Sequence, residues 1–160
     1  SIHQRVDSNI ILLDWLTAGR VALGECWQFT SYSSKTSIFI EDQLVFRDSV
    51  QLSDKPTCTV KQSMDGYTAI AMCVIIGPQL KQLCDESMER IGKRKSIGHQ
   101  QERDVMVTVS KLDCNVNNTD IHGIVVRIAA YSTTQAFLQI EKILSSVYPR
   151  LGGNPFQNKY

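Results

Sequence analysis

Residues 68–76 read TAIAMCVII, an almost unbroken apolar run near the middle of the chain. A strand that is covered on one face alternates apolar and polar residues, whereas a strand covered on both faces is apolar throughout. Asp65 and Gly66 precede the run and favour a tight turn, while Gly77 and Pro78 end it. The sequence therefore predicts a central strand with both faces covered.

Two amphipathic helices are predicted after this strand. Between residues 79 and 91, apolar side chains recur at helical spacing and leave charged side chains on the opposite side. A second apolar stripe covers residues 136–147, with Ser132 or Thr133 as its N-terminal cap and Pro149 beyond its end. This stripe predicts a closing helix that packs on a sheet.

The rest of the chain is patterned as strands and turns. Further strands are predicted at residues 9–13, 21–30, 37–40, 43–52, 57–63, 105–112 and 121–130. The strand at 57–63 is expected to pair with the central strand. Turns are predicted at 41–43, 54–56, 64–66 and 115–120, and an exposed loop or frayed helix end at 92–101. By pattern alone, the fold is mainly antiparallel β with two α-helices.

Length, charge and cysteine content narrow the classes of function. A chain of 160 residues can bury a core as one domain. Its net charge of +1 gives no electrostatic basis for binding nucleic acid or an anionic membrane. No apolar run approaches the roughly 20 residues of a membrane-spanning helix. We therefore expect neither nucleic-acid nor membrane partners. Five cysteines without a CxxC pair are typical of free thiols in a reducing compartment, so we expect a cytoplasmic protein.

The common catalytic motifs are missing from the sequence. It contains no G-x-S-x-G, Walker, H-E-x-x-H or dinucleotide signature, so we predict that the protein is not an enzyme. Asp120 and His122 would share one face of a strand and are the best local pair of metal ligands. Two ligands alone make a weak metal site.

Residues 14–29 read DWLTAGRVALGECWQF and place two glycine–charge pairs in one short stretch. Glycine serves where the backbone needs a positive φ or a close approach, so Gly19 and Gly24 predict two tight bends. The bends direct Arg20 and Glu25 so that they can face each other. The pair either lines a polar passage or a partner-facing surface, or it forms a buried salt bridge that fixes the bend.

Arg47 and Asp48 raise the same alternatives in the strand predicted at 43–52. Adjacent residues of a strand point to opposite faces, so these two side chains cannot pair with each other. One of them must face inward or toward another element. We therefore expect Arg47 or Asp48 to meet Glu25 or Arg20.

The order of these motifs resembles that of the urease accessory protein family called UreD or UreH. The resemblance rests on residues 14–29, on the serine and tyrosine patch at 31–34, on the strand with Arg47 and Asp48, and on VRIAAYSTT at 126–134. It implies stacked, β-helix-like strands with appended helices. Members of the family are considerably longer. The resemblance thus implies that residues 1–150 are one β-rich domain, the C-terminal part of a longer protein, with 151–160 as a flexible tail.

The resemblance also implies a function. Members of the family are non-catalytic scaffolds that bind apo-urease and the accessory proteins UreF and UreG, and help carry nickel to the urease centre through an internal tunnel. Nickel would pass transiently and no cofactor would be tightly bound. Candidate transient nickel ligands are Asp14, Glu25, Asp48, Asp120 and His122, although Asp14 is also interpreted as a plain turn cap. Candidates for the tunnel or the partner surface are Thr17, Gly19, Arg20, Gly24, Glu25, Arg47, Asp48 and Arg127.

Two other functions stay open on the sequence. The chain is a β-rich interaction module without a metal role if its charged bends are closed salt bridges with no passage between them. It is a small hydrolase if Glu25 and Asp48 form an acid–base pair, which requires burial that separates their pKa values. A lined cavity would distinguish these hypotheses.

Overall fold

The computed structural model describes residues 1–96, 105–154 and 156–157. Its strands are β1 (Ile2–Gln4), β2 (Ile10–Thr17), β3 (Ser31–Ile40), β4 (Gln43–Ser53), β5 (Ala69–Ile76), β6 (Val105–Val116) and β7 (Thr119–Ala130). Its helices are α1 (Val60–Ser63), α2 (Lys81–Ser96) and α3 (Thr133–Leu144), with 3-10 turns at Val21–Leu23, Pro78–Leu80 and Ser145–Leu151. The fold is mainly β, as predicted. A small sheet has the order β1-β3-β4, and a large sheet has the order β2-β5-β7-β6.

β5 lies inside the large sheet, between β2 and β7. Its side chains alternate between two apolar cores, because successive residues of a strand point to opposite faces. Val74 and Ile76 pack in the core between the two sheets, whereas Cys73 and Ile75 pack in the core beneath the helices. All four side chains are buried. The prediction of a central strand with both faces covered is confirmed.

α2 and α3 cover the face of the large sheet that points away from the small sheet. Leu83 of α2 and Ile140 of α3 are buried in this helix-side core. Ser132 caps α3, since its Oγ accepts a hydrogen bond from the backbone N–H of Gln135 at 3.2 Å. Both predicted helices are confirmed, although α2 continues into the predicted loop as far as Ser96, and residues 97–101 of that loop lie outside the described residues. Within the described ranges, no helix is long and apolar enough to cross a bilayer.

Two tight hairpins connect the longest strands. Glu41 and Asp42 join β3 to β4 with φ values of 46° and 63°, and Asn117 and Asn118 join β6 to β7 with φ values of 49° and 63°. Positive φ at both central residues gives a turn whose twist matches that of the flanking strands. The predicted turn at 41–43 is confirmed. The turn predicted at 115–120 is shorter than expected and consists of Asn117 and Asn118. Asparagine tolerates a positive φ.

Two predicted strands are wrong. Within residues 21–30 the chain forms a 3-10 turn, because Gly19 and Gly24 adopt φ values of 105° and 79° and bend the backbone on either side. Within residues 57–63 it forms α1, because Thr59 and Gln62 make a reciprocal capping box. β5 pairs with β2 and β7 instead of with this segment. In both places the local backbone chemistry outweighs a weak alternation of apolar residues.

The described residues that follow α3 lie against that helix, including the described part of the segment predicted as a tail. Asn154 Nδ2 donates a hydrogen bond to Glu141 Oε1 at 3.0 Å. The ring of Phe156 packs edge-on against that of Phe137, with centroids 5.4 Å apart. These contacts attach the described part of the segment to the helical layer.

The close approach of β5 and β7 generates a prediction at Gly123. A Cβ at this position would lie 2.7 Å from the carbonyl oxygen of Ile75 and 2.9 Å from Cγ1 of Ile76. Because β5 cannot shift without disturbing both cores, we expect Gly123→Ala to lower the free energy of unfolding by about 1–3 kcal/mol, measured by denaturant titration.

Gly92→Ala is the matched control for this substitution. A Cβ at Gly92 meets no atom within 4 Å, and the residue lies exposed in α2. Alanine is the better helix former, so this variant should gain about 0.5–1 kcal/mol. An unchanged unfolding midpoint for Gly123→Ala would contradict the packing described for β5 and β7.

Candidate functional site

A cavity of about 280 Å³ that is partly open to solvent lies between the two sheets, next to their shared apolar core. Strands of both sheets contribute to its walls, and much of the lining is apolar, including Leu16, Ile70 and Met72. Polar and charged side chains also converge on it. These are Asp14, Tyr32, Ser34, Asp48, Thr108 and Arg127. The structure thus brings three of the predicted site residues, Asp14, Asp48 and Arg127, to one cavity.

The register of the large sheet sets the positions of the charged residues on its side of the cavity. Thr108 lies opposite Arg127, Arg127 opposite Met72, and Met72 opposite Asp14. Residues directly opposite each other in an antiparallel pair share a face, so these four side chains point toward the small sheet. Since neighbouring strands lie about 4.8 Å apart, the backbones of Arg127 and Asp14 are about 10 Å apart.

An ion pair joins the two sheets across the cavity. Arg127 Nη2 in β7 donates a hydrogen bond to Asp48 Oδ1 in β4 at 3.0 Å. The side chain of Asp48 is only 19% exposed, whereas that of Arg127 is 48% exposed. A hydrogen bond between charged groups is stronger than a neutral one, and burial of the carboxylate limits screening by water. The pair therefore holds β4 against β7.

This ion pair corrects the prediction for Arg47 and Asp48. The expectation that one of them meets Glu25 or Arg20 is wrong, because Asp48 pairs with Arg127, which lies 79 residues further along the chain. Asp48 is the member of the two that faces inward. Arg47 lies exposed on the opposite face of β4 and does not line the cavity.

Asp14 lies in the middle of β2 and is half-buried at the cavity. Its interpretation as a turn cap is wrong, because β2 continues for three further residues to Thr17. Thr17 itself is exposed at the end of the strand and does not line the cavity. With Asp14 and Asp48 ionised, two carboxylates and the guanidinium of Arg127 give the cavity lining a net charge of −1. This charge favours a cation over an anion.

The predicted pair of Arg20 and Glu25 lies on a loop outside the cavity. Arg20 donates two hydrogen bonds to the carboxylate, from Nε at 2.9 Å and from Nη2 at 2.7 Å, and the pair raises the pKa of Arg20. The side chains are 73% and 38% exposed, so the alternative of a buried salt bridge is wrong. Gly19 and Gly24 adopt positive φ, as the two predicted bends require.

The same loop exposes apolar side chains. Leu23 is 69% exposed at the 3-10 turn, and Val21 beside it is also exposed. The bidentate bond between Arg20 and Glu25 closes the loop at its base. A loop that is already ordered loses less conformational entropy when it binds a partner.

Asp120 and His122 lie in the β6–β7 hairpin, on the face of β7 that also carries Ile124 of the helix-side core. They share a face, as predicted, but it is not the face of the cavity. His122 Nδ1 is 3.2 Å from Asp113 Oδ1, and Asp120 accepts a hydrogen bond from Asn115 Nδ2 at 2.8 Å. In the part of the chain that the structure describes, no group of three or more His, Cys, Asp and Glu side chains is placed to hold a metal ion.

The cysteines are all free, as predicted. Cys73 and Cys84 lie in the helix-side core, on the opposite side of the large sheet from the cavity. Burial raises the pKa of the Cys73 thiol to about 12 and that of the Cys84 thiol to about 11. Both thiols are therefore protonated at neutral pH, and neither supplies a thiolate to the cavity.

Tyr32, Ser34 and Thr108 also line the cavity, although none of them was predicted as a site residue. A signal for the first two exists, since Tyr32, Ser34 and Thr36 alternate along β3 and so share a face. The predicted strand began only at residue 37, and this face was not assigned. Thr108 lines the cavity through its register with Arg127, which local periodicity does not reveal.

Comparison with known proteins places this chain in a family. The family model described as UreD urease accessory protein matches residues 2–159. This match defines the class of protein as that of the urease accessory proteins. The chain is a member of the UreD family.

Its relatives span plants and bacteria. It is 30% identical over 164 residues to urease accessory protein D of Arabidopsis thaliana, covering 94% of this chain and 56% of the relative. It is 29% identical over 167 residues to urease accessory protein D of Oryza sativa subsp. indica, covering 96% and 55%. It is 25% identical over 149 residues to urease accessory protein UreD of Anaeromyxobacter sp. (strain Fw109-5), covering 93% and 46%. The chain spans about half the length of these curated relatives. Their names describe helpers of urease rather than enzymes, in agreement with the prediction that this chain is not an enzyme.

The ion pair between Arg127 and Asp48 should contribute measurably to the stability of the fold. Asp48→Asn and Arg127→Gln should each lower the free energy of unfolding by about 1–2 kcal/mol, because each leaves a partly buried charge without its partner. A double-mutant cycle should show positive coupling between the two positions.

The matched control is the cycle of Arg20→Gln with Glu25→Gln, because that pair is exposed on both sides. Its coupling should be smaller and should vanish in about 1 M salt, where the Debye length is about 3 Å. Equal coupling in the two cycles would contradict the inter-sheet role of Arg127 and Asp48.

Proposed function

We propose that this chain is a scaffold in urease maturation that binds apo-urease and the accessory proteins UreF and UreG and helps carry nickel to the urease centre. Membership of the UreD family supports the link to urease. The observation that carries the nickel role is the cavity between the two sheets, into which Asp14 and Asp48 bring carboxylates. Its place of action would be the cytoplasm, consistent with the free thiols.

The chemistry of the cavity suits an ion that is passed on rather than kept. Ni²⁺ binds imidazole, carboxylate and water, whereas a closed thiolate site would retain it. Beside the two carboxylates, the cavity offers hydroxyl groups from Tyr32, Ser34 and Thr108, while the buried thiols lie beyond the large sheet. A hydrated cation in this cavity would keep most of its water ligands and leave easily.

The exposed loop with Leu23 supports the scaffold role. Exposed apolar side chains on an ordered loop are suited to a protein partner, because burial in the complex removes apolar surface from water at little entropic cost. Arg20 and Glu25 close the loop without using the cavity. The surface for a partner and the place for the metal are thus separate.

The alternatives have less support. A β-rich interaction module without a metal role accounts for the Leu23 loop but leaves the charged cavity unexplained. A carboxylate-based hydrolase would need Glu25 and Asp48 in one cleft, whereas Glu25 is bound to Arg20 on the loop and Asp48 is bound to Arg127 in the cavity.

Asp14→Asn tests the nickel role. The substitution keeps the volume and removes the charge, so we expect several-fold less nickel to reach apo-urease while UreF and UreG stay bound. The measurement is the nickel content and activity of urease after incubation with the protein, UreF, UreG and Ni²⁺.

The control variant for this test is Asp85→Asn, since Asp85 is exposed on α2 in the helical layer. It should transfer nickel like the unmodified protein. Full nickel transfer by Asp14→Asn would refute a role for the cavity in carrying nickel.

Leu23→Ser tests the partner surface. We expect roughly tenfold weaker binding to one of apo-urease, UreF and UreG, which corresponds to about 1.4 kcal/mol, measured with the purified proteins by biolayer interferometry. Leu151→Ser is the matched control, because Leu151 is 55% exposed at the other end of the chain. If both variants bind every partner as the unmodified protein does, the loop is not a partner surface.

A further inference from the structure

We infer that Arg127 controls the entry of divalent cations into the cavity: its guanidinium occupies Asp48, and a cation reaches the carboxylates of Asp14 and Asp48 only where Arg127 is displaced. The inference rests on the proposed nickel function for its biological meaning. It makes Arg127 a built-in competitor of the metal, one that keeps binding weak and exchange fast.

The ion pair has one fixed member and one mobile member. Asp48 is mostly buried in β4 and bonded to Arg127 Nη2 at 3.0 Å. Arg127 is half-exposed and carries its charge at the end of a long, flexible side chain, so its guanidinium can turn away from Asp48 toward solvent. Displacement therefore moves Arg127 and leaves Asp48 in place.

Asp14 supplies the second carboxylate. Among the described residues, its side chain has no hydrogen-bond or ion-pair partner, although it lines the same cavity as Asp48. Met72 of β5 lies between Asp14 and Arg127 in the row across the large sheet. The strand that carries Arg127 is therefore separated from the strand that carries Asp14 by β5. Arg127 thus neutralises one carboxylate and leaves the other available.

Removal of Arg127 makes the cavity lining more negative, which changes its affinity for cations. With Arg127 in place, two carboxylates and one guanidinium sum to −1, and without it the sum is −2. A divalent cation gains attraction from the added negative charge and loses repulsion from the guanidinium. Removal of Arg127 should therefore tighten metal binding. A purely structural role for Arg127 predicts unchanged or weaker binding, because loss of the bridge would loosen the cavity.

Calorimetric titration with Ni²⁺ tests the inference. Arg127→Gln and Arg127→Met should each bind Ni²⁺ on the order of tenfold more tightly than the unmodified protein. Arg127→Lys keeps the positive charge, so its affinity for Ni²⁺ should stay close to that of the unmodified protein. Adding Asp14→Asn to Arg127→Gln should abolish the gain.

Two neutral variants keep the test decisive if one of them fails to fold, and cooperative thermal unfolding identifies the folded ones. Unchanged or weaker Ni²⁺ affinity in a folded neutral variant overturns the inference. If that happens while Asp14→Asn still lowers nickel transfer to urease, the proposed function stands without this control. If the neutral variants bind more tightly but Asp14→Asn transfers nickel normally, the inference stands and the nickel function fails.

Discussion

Burial of β5 on both faces determines how the two sheets and the helical layer are arranged. Val74 and Ile76 fix the small sheet on one face, and Cys73 and Ile75 fix the helical layer on the other. β5 therefore cannot slip by one residue, since a slip would exchange its two faces. The same register carries through β7 and β2, which places Arg127 and Asp14 in one row.

The cavity follows from what this row contains. Where aliphatic side chains such as Ile38 and Val125 meet, the two sheets share a dry core. Charged side chains cannot enter such a core without a partner, because their dehydration costs more than packing returns. Arg127 and Asp48 form an ion pair across the gap between the sheets, and Asp14 lines the cavity beside this pair. A cavity of about 280 Å³ has room for several water molecules, and so for a hydrated ion.

Local signals in the sequence were sufficient for the main elements and insufficient for the site. The apolar run of β5, the stripes of α2 and α3, and the bends at Gly19 and Gly24 each depend on residues close in the chain. The strand expected at 57–63 failed because the capping box of Thr59 and Gln62 is a stronger local signal than weak alternation. The partner of Asp48 lies in the opposite sheet, and single-strand periodicity says nothing about how two sheets face each other. Asp48 and Arg127 could be selected as candidates, but their pairing could not be predicted.

The methyl groups of the methionines can report directly whether the cavity receives a divalent cation. Met72 and Met106 line the cavity, whereas Met88 packs against the helix-side core. In protein labelled with ¹³C at these methyl groups, titration with paramagnetic Ni²⁺ should shift or broaden the NMR signals of Met72 and Met106 at concentrations that leave Met88 unchanged. If Met88 responds at an equal or lower Ni²⁺ concentration, or if the two cavity methyl groups do not respond, the cavity is not the binding site of the cation.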